Sequence, residues 1–325
     1  MDNTLNDCIV ALNSGEMILL IDDFIEGKEI GYFYLLSDFV TPSSINLMAT
    51  HGRGLVSVAL TKQRASELTL PMMVNNNENP HKYFTVSVDY TNCSTGISAF
   101  ERCETIQKLT EKNSAPNDFT RPGHIFPIIS SERGLLEQVT ISDAAIDLAQ
   151  LCSAKSLSGV VCDVLNKKGM IANKLELENL SMELNLIMVS MKNLVVHQLR
   201  NTDLILRQKE NTVPTKYGEL TSIIYTNQLD DSKIIVIMKE KKNKTLPLPV
   251  YIDSVFSIGE AFEEKNIEKI TIDGFGILIY KLNSSKESRL DSRNPFQLKE
   301  SFGIFVEQIL NDINITDPVI ITNVA

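Results

Sequence analysis

SDAAIDLAQLCSAKSLSGVVCDVLN, residues 142–166, places a helix and a strand in succession. Ser142 reads as an N-cap, and Ala145, Ile146, Leu148 and Ala149 form an apolar stripe at helical spacing through residue 152. Residues 159–165 then read as a strand, and 166–169 as the turn that ends it. Working outward, the same mixture recurs, and it predicts an α+β first domain in which a sheet is flanked by helices.

Upstream, 17–21 and 32–36 read as a hairpin around Asp22 and Asp23. Two carboxylates beside a turn read as solvated rather than as a metal pair. Thr41 and Pro42 ahead of 43–50 suggest a capped helix with proline in its first turn, broken by HGRG at 51–54. Residues 55–60 read as a strand, 62–67 as a short helix, 75–80 as a polar Asn-rich loop and 84–89 as a strand. The segment 98–112, with Ile106 and Leu109 among charged partners, suits an amphipathic helix.

Downstream, a helix is expected at 174–183, and the polar, charged run 201–216 reads as a boundary. Two domains follow, 1–200 and 201–325, consistent with a chain of 325 residues that exceeds the usual size of one core. The second is expected to hold strands at 219–225 and 234–239, a solvated basic loop at 239–244, a helix at 299–312 and a strand at 319–322.

Charge narrows the partners. A net charge of -10 repels phosphate backbones and anionic headgroups, so neither nucleic acid nor membrane is an expected partner. No apolar run approaches the roughly 20 residues that cross a bilayer, and residues 1–6 are too polar for a signal peptide, which points to a cytoplasmic protein. The five cysteines fall at irregular spacings with no CxxC, so reduced, mostly buried thiols are expected and no cofactor is called for. No Cys or His follows His197, which leaves the second domain without a soft metal ligand.

Seven stretches then carry a resemblance. HGRGL (51–55), LTKQRASELTLPMMV (60–74), FTVSVD (84–89), STGISAFER (94–102), RPGHIFP (121–127), DAAIDLA (143–149) and GVVCDVLN (159–166) are similar, in order, to 3,4-dihydroxy-2-butanone 4-phosphate synthases. That resemblance implies the synthase fold and a reaction that converts ribulose 5-phosphate to a four-carbon hydroxyketone phosphate and formate, with Mg2+ holding the intermediates. It also implies a homodimer, with RPGH at the interface and TGIS and RPGH shaping tight turns.

The residues that the resemblance makes catalytic have changed. Where the family has its acidic DRENEGD-type motif, the chain reads EGKEIGY (26–32): Gly27 replaces the Arg, Lys28 the metal-binding Glu and Tyr32 the catalytic Asp. At the RGGHTEA-type motif it reads QVTISDA (138–144), with Gln138 for the phosphate-gripping Arg and Ile141 for the metal-binding His. A metal is therefore not expected. Thr95 and Ser98 of TGIS and Ser142 at the helix start remain as binding candidates; His124 and Asp163, the latter in the column of a catalytic Glu, remain as acid–base candidates, with Glu29 beside them.

Residues 214–220 (PTKYGEL), 248–262 and 302–323 resemble GTP cyclohydrolase II, which implies a smaller α/β second domain. The three zinc-binding cysteines of that family have no counterpart here. The expectation is a riboflavin-biosynthesis family paralogue without either activity, acting by binding a phosphorylated small molecule or a partner. The alternative is an enzyme of the synthase fold that uses Asp163, His124 and Glu29 on a sugar phosphate-like molecule without magnesium.

Overall fold

In the computed structural model, residues 3–74, 82–228, 230–239, 248–255, 257–271, 275–282, 299–315 and 318–322 are described. They divide into two units, the first ending at Gln198 and the second beginning at Leu199.

The first unit is built on a seven-stranded sheet of order β4-β5-β3-β6-β2-β1-β7. Its strands are β1 (Ile18–Asp22), β2 (Ile30–Leu36), β3 (Arg53–Leu60), β4 (Val88–Tyr90), β5 (Phe119–Ile129), β6 (Ser158–Val164) and β7 (Met188–Ser190). β3 pairs parallel with β5 and β1 with β7, and the remaining pairs are antiparallel. Helices cover both faces, which is why β1 reads as the apolar run ILLI ahead of Asp22 rather than alternating.

On one face Leu19, Phe33, Leu35, Val58 and Cys162 pack with Ile45 of α2 (Pro42–Leu47), Ala65 of α3 (Lys62–Glu67), Ile106 of α4 (Ala99–Thr110) and Leu177 of α6 (Lys174–Leu184). The other face carries α1 (Asn3–Asn13), α5 (Ile141–Leu151) and α7 (Met191–Asn201); there the Tyr34 hydroxyl, on β2, donates to the Ala145 carbonyl at 2.8 Å. Each cysteine is a free thiol, with only Cys93 less than fully buried.

Several local expectations change. Thr140, not Ser142, caps α5, because its hydroxyl accepts from the Asp143 N–H while Ser142 lies wholly inside the helix. Asp22 is buried, and Asp23 accepts from the Ser190 hydroxyl at 2.7 Å and the Lys192 N–H at 3.1 Å, so neither is a solvated turn residue. RPGH is no turn but part of β5: a Cβ on Gly123 would meet the Val88 carbonyl carbon at 2.0 Å, so the glycine allows close strand approach. Of the strand expected at 84–89 only Val88 and Asp89 belong to a ladder, β4, which runs on to Tyr90, while Phe84 and Thr85 make single bridges.

The polar run 201–216, read as a boundary, lies within the second unit. Most of it is β8 (Ile205–Thr215), paired antiparallel with β9 (Gly218–Asn227). Its side chains are largely exposed, so the strand is held by backbone hydrogen bonds and leaves no apolar alternation to read. Beyond β9 come β10 (Lys233–Lys239), β11 (Leu248–Val255), α8 (Ile258–Ala261), α9 (Glu264–Thr271), β12 (Gly276–Leu282), α10 (Lys299–Asp312) and β13 (Pro318–Thr322), in a six-stranded sheet of order β13-β11-β12-β10-β9-β8. The Asn-rich loop and all but the first residue of the basic loop lie outside the described residues.

Candidate functional site

Sheet register brings two of the changed positions together. Tyr32 on β2 and Asp163 on β6 are direct partners, both on the face opposite Phe33 and Cys162. Lys82 reaches the pair from outside the motifs: its ammonium bonds the Asp163 carboxylate and lies 5.4 Å from the centre of the Tyr32 ring. With side chains only 15% and 19% exposed, Lys82 and Asp163 form a largely desolvated ion pair. The Asp163 carboxylate is thus committed to an internal cation.

His124, on β5, is held by Asp89 of β4. The carboxylate accepts the His124 backbone N–H at 2.8 Å and meets the ring Nδ1 at 2.7 Å. With Nδ1 as the donor, Nε2 is left as the basic nitrogen, on an imidazole that is 43% exposed. Gly96 closes over Asp89 with a φ of +75°, and a Cβ there would fall 2.0 Å from the carboxylate. Gly96→Ala is therefore expected to lower stability by about 2 kcal/mol or more, through strain and displacement of Asp89. A thermal unfolding midpoint equal to that of the unaltered protein would show that the loop yields freely.

Thr95 and Ser98, the binding candidates of TGIS, share one partner. Glu101 accepts from the Ser94 N–H at 2.6 Å, the Ser94 hydroxyl at 2.8 Å, the Thr95 N–H at 3.1 Å, the Thr95 hydroxyl at 2.8 Å and the Ser98 hydroxyl at 3.0 Å. Those donors hold its carboxyl far below the usual range, the Ser94 and Thr95 hydroxyls contributing most. A loop suited to an anion thus carries its own.

The same holds at Ser142. Its hydroxyl meets the Thr140 hydroxyl at 2.8 Å, and the neighbouring Asp143 takes the Ser131 N–H at 2.6 Å and hydroxyl at 2.7 Å as well as the Thr140 hydroxyl. An internal carboxylate occupies the start of α5, although burial pushes the Asp143 pKa up. Of the other changed positions, Ile141 is buried and the Gln138 amide bonds the Tyr83 hydroxyl.

Glu29 lies elsewhere, lining a cleft of about 380 Å3 with Glu26, Lys174, Lys192 and the apolar Leu177 and Met188. Its carboxyl is held low by its own and the Gly27 backbone N–H groups, helped by the two lysines. Of the six sequence candidates, then, only Thr95 and Ser98 share a partner, while His124, Asp163 and Glu29 each answer to a different neighbour. Asp89 and Glu101 were within the quoted motifs and were missed because their partners are set by packing; Lys82 had no sequence signal.

Comparison with known proteins places the whole arrangement. The sequence profile of the 3,4-dihydroxy-2-butanone 4-phosphate synthase family matches residues 6–197. The riboflavin biosynthesis protein RibBA of Bacillus mycoides (strain KBAB4) is 35% identical over 291 residues, spanning 86% of this chain and 73% of that protein. The chain belongs to this synthase family. RibBA of Bacillus subtilis (strain 168) is 32% identical with 99% of this chain covered and 88% of its own.

Among solved structures, RibBX, a two-domain synthase from A. baumannii, covers 99% of this chain and 94% of its own with a TM-score of 0.75; at 23% identity it speaks for the fold alone. A synthase in complex with two magnesium ions aligns at a TM-score of 0.55 and 25% identity, over 61% of this chain and 97% of its own.

The residues present do not fit the magnesium of such synthases. At the positions that the motif resemblance assigns to the metal ligands, Lys28 would bring a cation and the buried Ile141 no donor. Among the described residues, no three His, Cys, Asp or Glu side chains lie close enough to share a metal ion. The described helices also include none long and apolar enough to cross a membrane.

Proposed function

We propose that this member of the synthase family no longer turns over ribulose 5-phosphate and that it acts by binding a partner or a phosphorylated small molecule. The Lys82–Asp163 ion pair carries the reading: the carboxylate in the catalytic column is neutralised by an internal ammonium, beside a tyrosine in place of a catalytic acid. In support of lost turnover, Glu101 and Asp143 take up donors of the TGIS loop and of the start of α5, which leaves a phosphorylated ligand to other donors such as Lys174 and Lys192 in the cleft beside Glu29. The reading includes a homodimer through β5 and no cofactor.

The second unit, on this reading, is a cyclohydrolase-II-like scaffold without that chemistry, since Cys and His are absent from residue 198 onward. Purified protein given ribulose 5-phosphate and Mg2+ is expected to release no formate above a protein-free control. Mg2+-dependent formate would overturn the proposal.

One observation favours a second reading: Nε2 of His124 is open, and its partner Asp89 is the orienting group a general base requires. Metal-free chemistry on a sugar phosphate would then appear as substrate loss in the presence of chelator, abolished by His124→Ala.

A further inference from the structure

β1 and β7 run parallel at one edge of the first sheet, so their carboxyl ends open together onto the cleft of about 380 Å3 that Glu29 lines. Its floor is apolar. Leu5, Ile21, Leu177 and Val189 are buried there, and Ile21 and Leu177 pack with Phe33 and Cys162, on the sheet face away from Tyr32 and Asp163. The cleft is thus separate from the altered catalytic column.

Two helices start at this cleft with a lysine in the first turn, Lys174 of α6 and Lys192 of α7. A cation is disfavoured at that end of a helix, where the backbone dipole is positive, and an anion is favoured. The backbone donors are largely used: Asn173 and Glu176 cap α6, while Asp23 and Ser190 accept the Lys192 and Asn193 N–H groups of α7. What remains for a ligand is the pair of ammonium groups. Among the described residues neither makes a hydrogen bond or a close ion pair. Their charged neighbour is Glu29, whose carboxyl both lysines help to hold low. Glu29 is otherwise tied to its own N–H and to that of Gly27 at 3.2 Å, and nothing lies within 4 Å of where a Cβ on Gly27 would stand.

The resident carboxylate decides what can bind. Glu29 gives the two lysines a single negative charge and, being tethered, competes at an effective concentration on the order of millimolar. A monoanion brings no more charge than Glu29 does, whereas a phosphomonoester brings about -1.5 to -2 and three acceptor oxygens. Glu26 stands exposed at the rim, where water and salt screen it. At roughly 30 Å3 per water the cleft has room for the equivalent of about a dozen, more than a phosphate group fills. Its buried floor suits an apolar body rather than a row of hydroxyls, which would find no partners there.

We propose that this cleft binds a phosphomonoester with an apolar body, its phosphate displacing Glu29 from beside Lys174 and Lys192. Such a site rests on the chain being a binder of phosphorylated molecules and adds where it binds them and of what kind. Saturation-transfer NMR on the full chain at low ionic strength tests it, with phenyl phosphate and benzoate as ligands and inorganic phosphate as competitor. Phenyl phosphate is expected to bind with a Kd on the order of 1 mM, and benzoate and inorganic phosphate about tenfold more weakly.

Lys174→Gln and Lys192→Gln should each weaken phenyl phosphate about fivefold, and Glu29→Gln should strengthen it by a similar factor. Glu183→Gln removes the same charge at the far end of α6 and should change nothing. None of these four side chains is buried, so circular dichroism and the unfolding midpoint should stay as they are. The gain from Glu29→Gln is decisive, because a carboxylate with a merely structural role would not raise affinity when removed. The site is overturned if phenyl phosphate shows no transfer, if neither lysine variant weakens it, or if Glu29→Gln gains no more than Glu183→Gln. Benzoate binding as tightly as phenyl phosphate would overturn the phosphate class. Formate release from ribulose 5-phosphate would instead sink the loss of turnover and leave these affinities as they are, so the two failures are told apart.

Discussion

Replacing Lys82 by methionine is expected to lower the stability of the first unit by about 3 kcal/mol, seen as a fall in the urea midpoint with unchanged slope. The cost does not come from the lost attraction alone. Asp163 would stay behind with little access to water, its partner on β2 a tyrosine ring, and an unpaired carboxylate in such a place is strongly disfavoured. A second substitution supplies the decisive comparison. Asp163→Asn in the Lys82→Met background removes the stranded charge and should recover about 2 kcal/mol of the loss, a coupling characteristic of contacting groups. If the two substitutions simply add, the ion pair is an exposed contact of little consequence and the proposed loss of catalysis loses its main support.

The second large effect is a dependence on pH centred on Asp147 of α5. Burial raises its pKa from 3.8 to about 7, partly countered by the Leu135 N–H, which it accepts at 3.0 Å. Because the folded-state value lies above the unfolded one, the folded chain binds the extra proton between these two values. Its contribution is therefore full below pH 3.8 and is lost as pH rises through about 7. At ~1.4 kcal/mol per unit, the stability difference between acid and mildly alkaline solution reaches at most about 4 kcal/mol.

Asp147→Asn keeps a neutral polar group in place and should abolish this slope, so that the variant gains on the unaltered protein from pH 5 to pH 8. Urea unfolding of both proteins at several pH values in this range is the test, and parallel curves would show that Asp147 stays ionised in the folded state. Glu101 pulls the other way. Its depressed carboxyl favours the folded state above the ordinary Glu range and loses that effect in acid, so the two groups act in separate windows.

Local pattern carried much of the architecture. Thr41 with Pro42, the stripe from Ala145 to Ala149 and the run from Lys299 to Asp312 read as helices because capping and spacing act over a few residues. The motif order was enough to place the family, since each motif is a contiguous stretch. Beginning at Asn3, α1 escaped notice because its opening residues are polar, and β8 because an exposed edge strand has no apolar side to show.

What the sequence by itself determined was negative and chemical: Lys28 and Ile141 cannot ligate magnesium, and a domain without Cys or His cannot build the zinc site of a cyclohydrolase. What stands in place of that chemistry was decided only by tertiary structure. The partner of Asp163 lies 81 residues away at Lys82, and that of His124 lies 35 away at Asp89. Strand register sets such pairings, and a register shift of one residue would turn these side chains to the opposite face. Tyr280 shows the same limit: in sequence it is one more apolar strand residue, and only the packing of α8 and α9 on β12 leaves its hydroxyl buried and without a hydrogen-bond partner among the described residues.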